Sequence, residues 1–180
     1  TNYGLLVGYQ QMLVSTLSIT APSDVGLSNI TAAGISTGSV AWTVITDNPA
    51  GYSLSIKAGS SPALTAGSES VSDYSPGGAV PDYSWSVGAT ASAFGFSPEG
   101  ADTASRYLDN GTSCGVGASN ATNQCWDGFS ATDRTIAQSS TSNTPSGVAT
   151  TVKLKAEVGA DKTQTTGSYT ATLTVTATAR

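Results

Sequence analysis

Residues 169–178 read Tyr-Thr-Ala-Thr-Leu-Thr-Val-Thr-Ala-Thr, and this stretch decides the fold class. Tyrosine and aliphatic residues fill the odd positions, and threonine fills every even position. A repeat of two is the side-chain period of a β-strand. The pattern therefore predicts a strand with one buried face and one face covered by hydroxyl groups.

The same alternation predicts strands elsewhere in the chain. Residues 152–158 alternate as well, and the polar segment 159–167 predicts that they form an antiparallel hairpin with the quoted strand. A second hairpin is predicted for residues 40–44 and 52–56, because Asp-Asn-Pro-Ala-Gly between them is favourable turn chemistry. Shorter strands are predicted around Tyr83–Val87 and Phe94–Phe96.

Helical periodicity is almost absent from the sequence. Regular short strands without helices indicate two packed sheets. We therefore predict an all-β fold, an antiparallel β-sandwich of immunoglobulin-like or jelly-roll-like type that covers residues 13–180.

Composition excludes several classes of function. The chain has 180 residues and no histidine, so a Ser-His-Asp triad and any histidine-ligated metal site are excluded. We predict no enzyme activity, no cofactor and no metal site. With seven Lys and Arg and a net charge of −5, the chain also lacks the basic stripe that binds nucleic acid. The sequence contains no run of 18 or more apolar residues, so no membrane-spanning helix is predicted.

The two cysteines, Cys114 and Cys125, lie in a stretch rich in glycine, asparagine and hydroxyl residues. The pair is too sparse for a zinc site, so a disulfide is predicted, with two buried free thiols as the alternative. A disulfide implies an oxidising compartment. Residues 97–148 around it show little alternation, and we predict a long surface excursion stapled by this bond.

Two further features favour an extracellular or cell-surface protein. The chain begins at Thr1 rather than Met, as expected of a secreted protein after removal of its signal peptide. Glycosylation sequons are present at Asn29, Asn110 and Asn120. In a chain this rich in Asn, Ser and Thr, such matches also arise by chance.

The first 19 residues carry an unusually long strand pattern. Every second residue from Tyr3 onward forms one apolar face, apart from Gln11 and Ser15. At about 3.3 Å per residue the segment would reach about 60 Å, whereas a globule of the remaining chain would be about 40 Å across. We therefore predict that residues 1–12 project as a strand and pair with the sheet of another subunit, through Tyr3, Leu5, Val7 and Tyr9.

Two alternatives to projection stay open. Gln10 and Gln11 could mark a bend between two ordinary strands of the same domain. Residues 3–14 could instead form a helix with Leu5, Leu6, Tyr9 and Leu13 on one face.

Two segments resemble known surface proteins. Residues 167–175 resemble the last strand of many secreted prokaryotic sandwich proteins, including fimbrial subunits, and residues 46–54 are similar to a hairpin found in them. Some of these families are pilin-like filament subunits of the donor-strand-exchange type. The resemblance implies a structural subunit of an extracellular filament or pilus that polymerises head-to-tail with copies of itself. Tyr3, Leu5, Val7 and Tyr9 then fall where donor side chains lie.

A second function from another class is a surface-layer or adhesin-type carbohydrate-binding module. Aromatic rings stack on sugars in such modules, and this chain has three tryptophans. Trp42 and Trp85 lie in alternating apolar runs and are predicted to belong to the core. Trp126, next to Cys125, is the predicted ligand contact, and the partners would be glycans or cell surfaces.

Overall fold

The computed structural model describes residues 14–30 and 33–180. Within these residues the fold is nearly all β, with one short 3₁₀ turn at Ser105–Tyr107 and no α-helix. The prediction of an all-β chain is confirmed. The strands are β1 (Leu17–Ile19), β2 (Gly34–Thr46), β3 (Tyr52–Ala58), β4 (Leu64–Ala66), β5 (Glu69–Asp73), β6 (Ser92–Glu99), β7 (Asp127–Gly128), β8 (Arg134–Ser139), β9 (Val148–Val158) and β10 (Leu173–Ala179).

The strands form two sheets. The large sheet has the order β1-β2-β9-β6-β5-β4, and β7 pairs with β6 beyond the end of β5. The small sheet has the order β10-β3-β8. Most neighbours are antiparallel, but β5 and β6 run parallel. The prediction of a wholly antiparallel fold is therefore wrong at this pair, where a long connection lets the chain return in the same direction.

One hydrophobic core contains side chains from both sheets. Val152 and Leu154 of the large sheet belong to it, together with Leu54 and Ile56 of the small sheet, and all four are almost fully buried. In β3 and β9 every second residue is buried. The period-two pattern therefore places the buried face of these strands correctly.

The predicted partners of these strands are wrong. Strand β9 lies in the large sheet between β2 and β6, whereas β10 pairs with β3 in the small sheet. Likewise β2 and β3, predicted as a hairpin, belong to different sheets. The reason is that two strands on opposite sides of one core show the same alternation as two neighbours in one sheet. Both polar connections cross from sheet to sheet.

Two further segments differ from expectation. Residues 83–87 form no strand, and Trp85 packs instead on Tyr74 and Trp126 outside the main core. The stretch 97–148, predicted as a surface excursion, contains β8 of the small sheet and several fully buried side chains. Its pattern is irregular because much of it is held by loop hydrogen bonds and ion pairs.

Candidate functional site

Strand β10 is an edge strand with a half-covered apolar face. It pairs with β3 along its full length, from Leu173 opposite Ala58 to Ala179 opposite Tyr52. The inward-facing residues of β3 are buried. Their partners in β10, Leu173, Val175 and Ala177, are only partly buried. Among the described residues, no strand pairs with the other edge of β10. Strand β10 therefore has one edge that no described strand pairs with, and its apolar side chains are only partly covered.

The backbone groups on that edge can be assigned from the ladder. Gly59 N–H donates to Thr172 C=O at 2.8 Å, and Arg180 N–H donates to Gly51 C=O at 3.2 Å. In an antiparallel pair, residues alternate between bonding to the partner and pointing away from it. The even residues of β10 therefore bond to β3, and the N–H and C=O groups of Leu173, Val175 and Ala177 point to the open edge.

In the large sheet, the outer edge of β2 is only partly paired with a strand among the described residues. Strand β1 covers only the last residues of β2, from Val44 to Thr46. Beyond it, residues 22–30 run along β2 without forming a strand. The partly buried hydrophobic residues that pack on the core come, apart from Tyr83, from these elements and from the chain around β10: Leu17, Val25, Leu27, Ile30, Val40, Trp42, Tyr169, Ala171, Leu173, Val175 and Ala177.

The predicted donor residues Tyr3, Leu5, Val7 and Tyr9 lie outside the described residues. The described chain begins at Val14, whose side chain is 78% exposed. It then enters β1, which lies beside β10. The described chain therefore begins three residues before a strand that contacts β10.

A second notable region covers the outer face of β6 and β9. Tyr74 stacks on Trp85 with ring centroids 4.2 Å apart, and Trp85 meets Trp126 edge-on at 5.2 Å. Trp126, the predicted ligand contact, is only 1% exposed, and its indole N–H donates to the Asn123 carbonyl. A ligand therefore cannot stack on the Trp126 ring without moving its neighbours.

Lys155 is held against these rings. Its ammonium lies 4.3 Å from the centroid of Trp126 and 5.3 Å from that of Trp85, which is the range of cation–π attraction. Burial lowers the pKa of Lys155, and the nearby Glu157 carboxylate opposes that shift. The Glu157 carboxylate accepts the Trp85 indole N–H at 2.5 Å.

Asp127 anchors the irregular region to the sheet. Its side chain is 2% exposed and forms ion pairs with Arg106 at 3.2 Å and Arg134 at 2.5 Å. The Tyr107 hydroxyl donates to it as well, at 3.1 Å. The next residue, Gly128, donates its own N–H to the same carboxylate. All four hydrogen bonds are charge-assisted, so one buried carboxylate ties three separate segments together.

The disulfide prediction is confirmed. Cys114 and Cys125 are bonded, with Cα atoms 5.6 Å apart, and both are buried. The buried Asp109 carboxylate closes the same loop by accepting the backbone N–H groups of Gly111 and Ala121. The disulfide loop is therefore fixed by a covalent bond and by the Asp109 carboxylate, which links it to the residues that precede it.

The three sequon asparagines occupy different surroundings. Asn29 is exposed, and the threonine of its sequon lies outside the described residues. Asn110 is exposed and lies four residues before Cys114. Asn120 is partly buried: its carbonyl oxygen accepts Gly100 N–H and its amide nitrogen donates to Pro98 C=O. Asn120 therefore has a structural role in this loop.

The described residues contain no group of three or more acidic or cysteine side chains that could hold a metal ion. No helix among them is long and apolar enough to cross a membrane. No family model, no curated protein and no solved structure matches this chain.

Three buried tyrosines predict a response to alkali. Burial and, after it, the neighbouring Asp102 carboxylate raise the pKa of Tyr52. Burial and the Asp82 carboxylate raise the pKa of Tyr74 to about 12. Burial also raises the pKa of Tyr107. An unfolded tyrosine ionises near pH 10. Since only the unfolded chain gains tyrosinate charge there, the contribution of these three tyrosines to stability is constant below about pH 10 and is lost above it.

The measurement is a spectrophotometric titration at 295 nm of the native and the urea-unfolded chain. We expect Tyr52, Tyr74 and Tyr107 to stay protonated at pH 11 in the native chain and to ionise on unfolding. Ionisation of all seven tyrosines with a midpoint near pH 10 in the native chain would contradict this assignment.

Sequence reasoning missed the ion pairs of Asp127 and the environment of Lys155. Arg106, Asp127 and Arg134 are far apart in sequence, and no periodicity links them. Lys155 could be placed only on the polar face of its strand. Trp85 and Trp126 cover that face from irregular segments, and the alternation predicts no contact between either ring and Lys155.

Proposed function

We propose that the two sheets form a β-sandwich with one incomplete side, and that the protein is the structural subunit of an extracellular filament or pilus. It polymerises head-to-tail by inserting its N-terminal strand into the neighbouring subunit. The observation that carries this proposal is the outer edge of β10, where backbone groups without a partner among residues 14–30 and 33–180 coincide with half-buried Leu173, Val175 and Ala177.

The N-terminal segment is complementary to this edge. From Tyr3 to Tyr9 it has the same length as the seven residues of β10. An added strand would satisfy the outward N–H and C=O groups of β10 and bury alternate apolar side chains against the core. Burial of Tyr3, Leu5, Val7 and Tyr9 contributes about 1.5–3 kcal/mol each, before the entropy of ordering is subtracted.

Head-to-tail growth follows from the geometry of the contact. The donor and the acceptor are different surfaces of the same chain, so each added subunit presents a new edge. The exposed threonines on the outer face of β10 suit a surface that packs without charge repulsion. The buried disulfide supports assembly outside the cytoplasm.

The test compares substitutions at two neighbouring residues of the N-terminal segment, one on the proposed donor face and one on the opposite face. Assembly is measured by negative-stain microscopy and sedimentation velocity. We expect the full chain to form filaments and a chain lacking residues 1–12 to stay monomeric. Val7→Asp places a charge on the apolar face and should abolish assembly, whereas Leu6→Asp on the opposite face should spare it.

The same pair separates the alternatives. If residues 3–14 were a helix, Leu6→Asp would disrupt its apolar face and Val7→Asp would not. If the segment folded back on its own domain, the full chain would remain monomeric at high concentration. Either result would overturn strand donation.

A further inference from the structure

An open cleft of about 570 Å³ lies on the outer face of the large sheet, between strands β2 and β9 and the segment that contains Asn123 and Trp126. Its floor is formed by side chains of β2 and β9 that point away from the core. In the ladder, Thr37 lies opposite Lys155 and Ser39 lies opposite Lys153. Asn123 and Trp126 form the wall. Hydroxyl and ammonium groups are therefore paired across two neighbouring strands.

The cleft concentrates positive charge in an acidic protein. It holds two of the seven basic residues of a chain whose net charge is −5. Lys153 has Glu99 at 3.7 Å. For Lys155, no carboxylate of the described chain lies within 4.0 Å. The nearest acidic residue on its strand face, Glu157, is engaged by the Trp85 indole. The Lys155 ammonium thus borders the cleft without a direct ion pair among the described residues, and Glu157 attracts it only at longer range.

Two tryptophan rings keep this ammonium in place. Trp85 and Trp126 both lie within about 6 Å of it, the distance at which cation–π attraction operates. Both indole N–H groups are already bonded, to Glu157 and to the Asn123 carbonyl. A positioned cation loses little side-chain freedom when an anion binds. The two rings therefore position the Lys155 ammonium and do not form a stacking surface for a ligand.

We propose that this cleft binds an acidic oligosaccharide, with a sugar carboxylate on Lys155 and sugar hydroxyls on Thr37, Ser39 and Asn123. Its volume is in the range of small-molecule sites. Hydroxyl and amide side chains beside the two lysines suit a ligand with both carboxylate and hydroxyl groups. An acidic peptide would match the lysines but could reach the hydroxyl groups only through its backbone, whereas each sugar unit carries several hydroxyl groups of its own.

The site is independent of the proposed filament contact. The outward side chains of β2 and β9 face away from the core, and β10 belongs to the other sheet. A donated strand at β10 would leave the cleft open. The cleft therefore adds a binding surface to the filament and would exist equally in a monomer.

The probe is an oligogalacturonate titrated into the full chain by calorimetry, with a neutral oligosaccharide of equal length and a polyglutamate peptide as separate arms. We expect saturable binding of oligogalacturonate alone. Lys155→Gln should weaken it by at least about tenfold, because a charge-assisted hydrogen bond is lost. The control Lys57→Gln, on the small sheet and paired with Asp133, should leave the affinity unchanged.

A second variant keeps the test decisive if Lys155→Gln does not fold. Thr37→Val is nearly isosteric at an exposed position and should weaken oligogalacturonate binding about three- to tenfold. Equal binding of polyglutamate, or no effect of either variant in folded protein, would overturn the proposal. Absence of saturable oligogalacturonate binding would overturn it as well, whatever the state of assembly.

Discussion

Asp127→Asn is expected to lower the free energy of unfolding by about 3 kcal/mol, the largest loss for any single change of charge in this protein. The substitution leaves Arg106 and Arg134 beside a neutral amide in a site where the carboxylate is 2% exposed. It also weakens the bonds from the Tyr107 hydroxyl and Gly128 N–H. The two arginine side chains are about one-third exposed, so water offsets part of the loss and the lower end of the usual 3–5 kcal/mol applies.

Urea denaturation of both proteins measures this loss, and the chain supplies a matched control. Asp133 pairs with Lys57 at 3.7 Å, but both side chains are substantially exposed. Asp133→Asn should therefore change stability by less than about 1 kcal/mol. Equal effects of the two substitutions would show that Asp127 does not anchor the irregular region.

Gly128→Ala is expected to cost at least about 3 kcal/mol, because the added methyl group meets backbone rather than a side chain that can move. A Cβ at this position would lie 1.8 Å from the Tyr74 carbonyl oxygen. Tyr74 is itself fixed by a bond from its N–H to Phe94 C=O at 2.7 Å. Gly128 also lies opposite Gly95 in the β6–β7 pair, so neither strand can retreat easily.

Thermal unfolding and near-ultraviolet circular dichroism report this change. Displacement of Tyr74 should also alter the signal of its stack with Trp85. Gly78→Ala is the control, since a Cβ there would meet nothing within 4 Å. If Gly128→Ala were as stable as Gly78→Ala and kept the aromatic signal, the close approach of β7 would be wrong.

The alternation of residues 169–178 predicts the buried face of β10 but not the strand with which it pairs. It predicts correctly that Leu173, Val175 and Ala177 face the core and that the threonines between them are exposed. It assigns the wrong neighbour, since β10 pairs with β3 instead of β9. Period two encodes which face is buried, whereas the partner depends on which sheet the strand joins.

The candidate sites could not be predicted from the sequence pattern for the same reason, because they depend on which strands are neighbours. An edge strand cannot be recognised from its own residues, because its openness depends on the absence of a neighbour. The cleft at Lys155 likewise depends on register, which places Thr37 and Ser39 opposite the two lysines. Cys114 and Cys125 were the exception, since two cysteines allow only one intramolecular disulfide.

Residue-resolved amide hydrogen exchange measures whether β10 accepts the N-terminal strand. The sample is a chain lacking residues 1–12, measured with and without a peptide of those residues. Our account predicts fast exchange at Leu173, Val175 and Ala177 without the peptide, slow exchange with it, and a higher melting temperature. If these three amides were already protected without the peptide, or stayed unprotected with it, β10 would not be the acceptor and the account would be contradicted.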